Sequence, residues 1–337
     1  MIKAAMIGFG GIASGHKKAY LSLEKRGISV KLVAICDIDP EAFKRRMKIN
    51  IDTGKEEQDG HFNTYTELEE MLENEQIDLI DICLPTPLHE EYAVKMLSRG
   101  YNVMCEKPMA LTEDKCANMI EARDASGKQL MIGQCLRFYR EYEFLKACIE
   151  DGRYGRPTAA YFERLSGPPR WGWNNWYMKH EMSGGVIYDL HVHDCDMIRW
   201  LFGEPEAVSA IGQADIIKHD TAHVTYYYKD LPVSAVAEWS MKGVNFKHGY
   251  RVGFEKATVI FDGKEVIAYS KEDGSAEKIE IAPHGGIEAE LEYFIDCLEK
   301  GTRPEKNMPE SSMKTVAIAR SLIYSADNMG ERIEISK

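Results

Sequence analysis

Through the first 130 residues, short apolar runs alternate with amphipathic stretches. KAAMIGFG, VKLVAICD, IDLIDICL, YNVMCEK and KQLMIGQ have the length and apolar character of buried strands. Between them, residues 11–27, PEAFKRRM from Pro40, residues 88–98 and TEDKCANMIEARDA read as helices. Pro40 suits a first helical turn, where a missing N–H loses nothing, and Thr112 suits an N-cap. Apolar strands separated by helices predict a parallel sheet covered on both faces. The polar segment 50–61, NIDTGKEEQDGH, reads as a surface loop.

After about residue 155 the rhythm changes. PTAAYFERLS, EAVSAIGQADI, TAHVTYYYK, VSAVAEWSM, HGYRVGFE and ATVIFDGKEVIAYS follow one another as strands with few helices between. Such runs predict a mainly antiparallel sheet, with Asp262 and Gly263 forming a hairpin turn. Helices 286–300 and 309–329 close the chain, and 184–202 reads as one further helix. The expected division is 1–125 and 126–337, and 337 residues fit two domains.

Charge narrows the choice of partners. A net charge of −12 argues against nucleic acid and anionic membranes. No apolar run reaches the roughly 20 residues of a membrane helix, and the Gly-broken N-terminus reads as structure, not as a signal peptide. The eight cysteines contain no C-x-x-C pair and fall mostly in apolar runs, as reduced core thiols of a cytoplasmic protein would.

Three strand ends carry candidate chemistry. Gly8, Phe9, Gly10, Gly11, Ile12 and Ala13 form a G-x-G-x-x-A turn between a strand and a helix. Gly8 permits the turn, Gly10 admits a pyrophosphate, and Ala13 allows close helix packing. The second strand ends at Asp37, placed to accept bonds from ribose hydroxyls and to repel a 2′-phosphate, which favours NAD over NADP. In a doubly wound sheet, ligands bind outside the carboxyl ends of the strands. Leu84, Thr86 and His89 of LPTPLH, and Glu106 and Lys107 of the next strand, therefore fall toward the nicotinamide half. A lysine ordinarily titrates near about 10.4, and a partly closed site beside a cationic ring lowers that value toward proton transfer. The plainer alternatives are a turn shaped by its prolines and a surface Lys107 paired with Glu106.

The stretch GGVIYDLHVHDCD (184–196) crowds three Asp and two His together. On a helix, Asp189, His193 and Asp196 fall within about 60° of one another, along a buried face. His191 and His193 stand two apart and do not face one ligand. Asp189 and His193 show no evident third partner for zinc, which weakens a metal site against an acid/base pair or a polar helix face with no special task. The preceding aromatic-rich stretch, with Trp171, Trp173, Trp176 and Tyr177, offers ring faces for sugar C–H groups or a packed loop core.

Taken in order along essentially the whole chain, the G-x-G-x-x-A turn, the E-K-P tripeptide and G-G-x-x-x-D-x-x-x-H-x-x-D resemble the glucose–fructose oxidoreductase / inositol dehydrogenase family (Gfo/Idh/MocA). The resemblance implies an α/β fold: an N-terminal Rossmann domain with a parallel sheet, then a C-terminal α/β domain with an open, mainly antiparallel sheet for substrate binding and oligomerisation. It implies NAD as cofactor, a small sugar, sugar derivative or cyclitol as substrate, and a homodimer or homotetramer. Matched by position, Lys107, Asp189 and His193 are the catalytic group and Arg137 faces the substrate. Tyr139 and Arg140 depart from the proline often found after that arginine, and His191 stands where many relatives have a small residue. In this reading His193 is the base, Lys107 polarises and relays, Asp189 orients the substrate with Trp176 nearby, and Asp196 steadies His193. An NAD-dependent glycosidase and a non-catalytic NAD-binding sensor are the alternatives.

Overall fold

The computed structural model describes residues 1–44, 60–282 and 285–335. Its contacts divide the chain into two units. The first is Met1–Cys135 with Arg170–Trp176 and Gly285–Val316; the second is Leu136–Pro169 with Tyr177–His284 and Ala317–Lys337. In chain order the helices are α1 (Gly11–Lys25), α2 (Leu68–Asn74), α3 (His89–Ser98), α4 (Glu113–Ser126), α5 (Arg140–Asp151), α6 (His180–Ser183), α7 (Val192–Phe202), α8 (Gly286–Lys300) and α9 (Pro309–Asp327).

The first unit holds a six-stranded sheet of β1 (Ile2–Ile7), β2 (Val30–Cys36), β3 (Asn63–Tyr65), β4 (Leu79–Ile82), β5 (Asn102–Glu106) and β6 (Leu130–Gly133). All its pairings are parallel, in the order β3-β2-β1-β4-β5-β6. This is the dinucleotide-binding Rossmann order, and it reverses between β1 and β4. The register aligns Ile7 with Ile82 and Ile82 with Cys105. Gly8, Cys83 and Glu106 therefore leave the sheet at one edge. Thr112 caps α4 as expected, its Oγ1 accepting the Lys115 amide at 3.4 Å. The segment from Pro40 is a 3-10 turn, Pro40–Lys44, and not a full helix. Most of the polar segment 50–61 lies outside the described residues.

The core of this unit is completed from the far end of the chain. Leu291, Phe294, Ile295 and Cys297 of α8 pack with Ala13, Tyr20 and Leu23 of α1 and Met104 and Met131 of the sheet. On the rim of the same packing, the Arg26 guanidinium donates to Glu288 at 2.8 Å and to Glu292 at 2.8 and 2.9 Å.

The second unit holds β7 (Pro157–Leu165), β8 (Ala207–Gln213), β9 (Thr221–Tyr227), β10 (Pro232–Glu238), β11 (Lys247–Phe254), β12 (Ala257–Phe261), β13 (Val266–Ser270), β14 (Ala276–Ile279) and β15 (Ile333–Glu334). Their order is β14-β13-β12-β11-β7-β10-β9-β8-β15. Only β7 and β10 pair in parallel. The turn at Asp262 and Gly263 forms as expected, the Asp262 carboxylate accepting the Lys264 and Glu265 amides. Period-two alternation sorts the faces: Ala222, Val224 and Tyr226 are buried, while His223 and Thr225 between them are exposed. The buried face packs on Cys195, Met197, Ile198 and Leu201 of α7 and on Tyr142, Leu145 and Cys148 of α5.

One sequence expectation changes here. Residues 184–202 are not one helix. They form a π turn over Val186–Leu190, followed by α7. The cause is the glycine pair: Gly184 and Gly185 both adopt φ +69, a region that L side chains avoid. A Cβ on Gly184 would lie 2.4 Å from the Tyr188 Cβ, and one on Gly185 would lie 2.9 Å from the Lys218 carbonyl.

Candidate functional site

In the first unit, the backbone of the glycine turn decides what fits. Gly8 has φ +90, and a Cβ there would meet the Cys83 carbonyl at 2.7 Å. Beyond it the turn is open: a Cβ on Gly10 would meet nothing within 4 Å. Helix α1 starts at Gly11, with no side-chain cap and no acid in its first turn, so the amides of Gly11 and Ile12 stand clear of competing anions. Asp37 is fixed beside this turn. Its Oδ2 accepts the Phe9 amide at 2.7 Å and its Oδ1 the Asp39 amide at 2.8 Å. A carboxylate has about four acceptor positions, so both oxygens keep capacity for ribose hydroxyls. These residues fit a bound dinucleotide.

The next two strand ends are tied together by His89. Its Nδ1 faces the Pro108 carbonyl and its Nε2 the Leu84 carbonyl, both at 2.8 Å. Thr86 and His89 are buried, so they shape this edge from beneath, while Leu84 is half-buried. Glu106 Oε2 accepts the Lys107 amide at 3.0 Å, and the Lys107–Pro108 peptide is cis. Across residues 103–110 every residue is buried except Lys107.

A parallel situation holds in the second unit. Across residues 191–199 only His193 is not buried. Asp189 lies in the π turn just before it, 8% exposed. A π turn inside a helical stretch is frequent at functional sites. The neighbouring acids neutralise buried guanidinium groups. Asp194 takes Nε and Nη2 of Arg164 at 3.0 and 2.9 Å. Asp196 takes Nε and Nη2 of Arg137 at 2.7 Å each. Arg137 is thus a buried strut across α7, 4% exposed. Trp176 is buried, Trp173 is half-exposed, and Tyr177 meets Trp239 edge-on at 6.4 Å.

His191 is a core histidine. Its Nε2 meets the Tyr226 hydroxyl at 2.8 Å, and its Nδ1 has no partner among the described residues. Burial pushes its pKa down to about 4, with nearby Asp194 opposing the shift. The unfolded chain binds this proton near about 6.5, whereas the folded chain refuses it until about 4. The stability that neutral His191 contributes is therefore present above about 6.5 and lost as pH falls toward 4, a difference of ~3 kcal/mol. Melting temperature followed from pH 7 to pH 4 should fall more steeply for the natural chain than for His191→Gln. Parallel curves would remove His191 as the source.

Among the buried polar residues that escaped the sequence reading are His16 on α1, Asp81 in β4 and Glu290 on α8. Asp81 had left a signal, because an acid in the middle of LIDI contradicts an otherwise apolar strand. All eight cysteines are free, and only Cys135 is not fully buried.

A parallel sheet ordered this way, with a bare helix start above an open glycine turn and an acid at the end of β2, defines a Rossmann dinucleotide-binding chain. Residues 2–134 match a family model described as "Oxidoreductase family, NAD-binding Rossmann fold", and residues 142–260 match the GFO/IDH/MocA C-terminal domain. The chain belongs to the Gfo/Idh/MocA oxidoreductase family. It is similar to an inositol 2-dehydrogenase of Pseudomonas savastanoi, with 29% identity over 60% of this chain and 55% of the relative. It is also similar to a 2,7-anhydro-N-acetylneuraminate hydratase of Escherichia coli, with 30% identity over 43% of this chain and 39% of the relative. These alignments span about half the length of the curated relatives or less. Over its whole length the fold matches the WlbA dehydrogenase of Bordetella pertussis, solved with NADH and UDP-GlcNAcA. The TM-score is 0.80 and the identity 22%, covering 100% of this chain and 98% of that one.

Proposed function

We propose that this chain is an NAD-dependent oxidoreductase acting on a secondary hydroxyl of a sugar, sugar derivative or cyclitol, with Lys107, Asp189 and His193 as its catalytic residues. The observation that carries this reading is selective access: Lys107 and His193 are the lone unburied positions in two otherwise buried stretches. When bound, NAD supplies the hydride acceptor. His193 takes the hydroxyl proton, imidazole being the side chain best suited to exchange one near neutral pH. The Lys107 ammonium hydrogen-bonds the same oxygen and stabilises its developing negative charge. Asp189 accepts from a neighbouring substrate hydroxyl and fixes which carbon is presented. Gly8, Gly10, Gly11, Ile12 and Asp37 hold the adenine and pyrophosphate half of the cofactor. Leu84, Thr86, His89 and Glu106 shape the nicotinamide half.

The substrate and assembly readings follow the relatives. Their names are those of sugar and cyclitol enzymes; Trp176 is assigned to substrate binding for its aromatic face, and Arg137, buried against Asp196, on the strength of the family pattern alone. We assign the polar outer face of the nine-stranded sheet, with exposed His223, Thr225, Ser234 and Arg251, to contact with a second copy of the chain. A cytoplasmic location suits eight free thiols, and among the described residues no helix is long and apolar enough to cross a membrane.

The test is NADH formation on a panel of inositols, aldoses and sugar alcohols, with NADP⁺ in parallel and substrate loss followed separately. NADH with one compound supports the dehydrogenase reading. Substrate loss without NADH replaces it with a redox-neutral reaction, the outcome that the hydratase relative makes worth measuring. Asp37→Ala should weaken NAD by about tenfold, equivalent to one or two hydrogen bonds, and weaken NADP less. Equal losses would remove Asp37 as the ribose ligand.

A further inference from the structure

Beneath the edge that carries Lys107, three charged groups meet in the interior of the first unit. His16 of α1 is fully buried, its Nδ1 2.8 Å from Asp81 Oδ2 and its Nε2 2.9 Å from Glu106 Oε1. Asp81 comes from the middle of β4 and Glu106 from the end of β5. An ionised carboxylate only accepts hydrogen bonds, and a neutral imidazole has one N–H. Two carboxylates facing the two ring nitrogens therefore call for both nitrogens to be protonated. Glu106 passes the constraint on, because its second oxygen accepts the Lys107 amide at 3.0 Å.

We propose that His16, held as an imidazolium between Asp81 and Glu106, is a positioning residue that fixes Glu106 and, through it, the backbone of Lys107. The inference rests on the proposed role of Lys107. It makes one side chain of the helix beneath the phosphate turn the internal brace of the strand end that carries the catalytic lysine.

The groups around the triad agree with this assignment. Burial disfavours a charge on His16, yet Asp81 and Cys83 together outweigh it, and the His16 pKa stands well above its ordinary value. His16 and Lys107 help keep Glu106 ionised against the penalty of its burial, and its pKa is lowered. Glu290, from α8, holds its proton, pushed up by burial and by Glu106. Its Oε1 accepts from Asn307 at 2.9 Å. Cys83 keeps its thiol proton, pushed up to about 12 by burial, and donates to Asp81 at 3.7 Å. Tyr20, likewise pushed up, stays a phenol, and His89, whose ring nitrogens face uncharged carbonyls in place of carboxylates, is pushed down by burial. These neighbours thus add no charge to the triad, and Lys107 stands at its rim. His16, Asp81 and Cys83 also lie close enough together to hold a metal ion, but the hydrogen-bonded thiol and the doubly bonded ring describe a proton network.

The decisive experiment uses full-length protein labelled with 15N-histidine, the His16 signals being those lost in His16→Gln. At pH 8 both ring nitrogens should carry protons, and Asp81→Asn should bring the His16 titration into a lower range. A neutral tautomer at pH 8 would overturn the proposal, as would stoichiometric metal in the purified protein. Neither readout needs turnover, so the proposal and the assigned activity can fail separately. With an active substrate in hand, His16→Gln should lower kcat tenfold or more, with KM for NAD and the dissociation constant for NADH within about threefold. Equal losses in kcat and NADH binding would make His16 a merely structural residue and overturn its positioning role.

Discussion

Lys107→Ala and His193→Ala should each lower turnover by about 10²–10⁴-fold, the range for removing a group that moves or holds a proton in the transition state. NADH affinity should change by less than about threefold. The expected split follows from placement. Lys107 is fixed at the strand end by its amide bond to Glu106, while the adenine and pyrophosphate contacts assigned to the cofactor come from the glycine turn and Asp37. His193 belongs to the other unit and to none of those contacts. Stopped-flow binding of NADH together with steady-state rates on one active substrate would check both. Unchanged kcat in either variant removes that residue from the chemistry. A loss confined to KM would recast it as a substrate contact. If the two single losses nearly equal the loss in Lys107→Ala/His193→Ala, the residues act on one proton as a unit.

The second large effect concerns stability. Asp194→Ala should destabilise the protein by about 3–5 kcal/mol, because it leaves the Arg164 guanidinium charged in an interior without its counterion. Arg164 is 3% exposed and Asp194 fully buried, and the pair's two short bonds are joined by one from Arg164 to the Tyr142 hydroxyl at 3.3 Å. Deprotonation offers no escape, since a guanidinium keeps its charge in proteins. With a slope of roughly 2–3 kcal/mol/M in urea, the midpoint should drop by more than about 1 M. Arg164→Met/Asp194→Leu should recover most of that loss, since replacing both charges by apolar groups removes the desolvation penalty with the attraction. A double variant as unstable as the single one would mean that the pair also sets local geometry, for instance around His248, whose pKa both groups influence.

The periodicity of the sequence was enough to read the inner strands of both sheets, because buried parallel strands and half-exposed antiparallel strands leave different patterns, while the short edge strands β3, β14 and β15 and helix α2 were not anticipated. The turn at Asp262, the Thr112 cap and helices α8 and α9 were legible for the same local reason. Helix α5 was not anticipated, since its apolar positions sit among charged ones in REYEFLKACIED and follow directly on a strand. The 184–202 stretch was misjudged where backbone conformation, not composition, decides: two glycines at positive φ set a π turn ahead of α7. Within the candidate site, the glycine turn, Asp37, Glu106, Lys107, Asp189 and His193 could be named from motifs. His16, Asp81 and Glu290 could not, because their partners lie 65 and 90 residues from His16 in the triad and 17 from Glu290 at Asn307. Pairings across such separations are properties of the folded chain, and no window of sequence contains them.

Helix α8 has a consequence in time. The six strands of the first unit are translated by residue 133, yet Leu291, Phe294 and Ile295 of its core follow more than 150 residues later. At about 5–20 residues per second, on the order of 10–30 s separate the emergence of the six strands from that of the helix that closes over α1. Throughout that interval the nascent nucleotide-binding sheet carries an uncovered apolar flank, and Glu290 has not yet joined the buried cluster around Glu106. A stop codon anywhere before residue 286 removes Leu291, Phe294, Ile295 and Cys297 from that core even though every residue of the glycine turn has been translated.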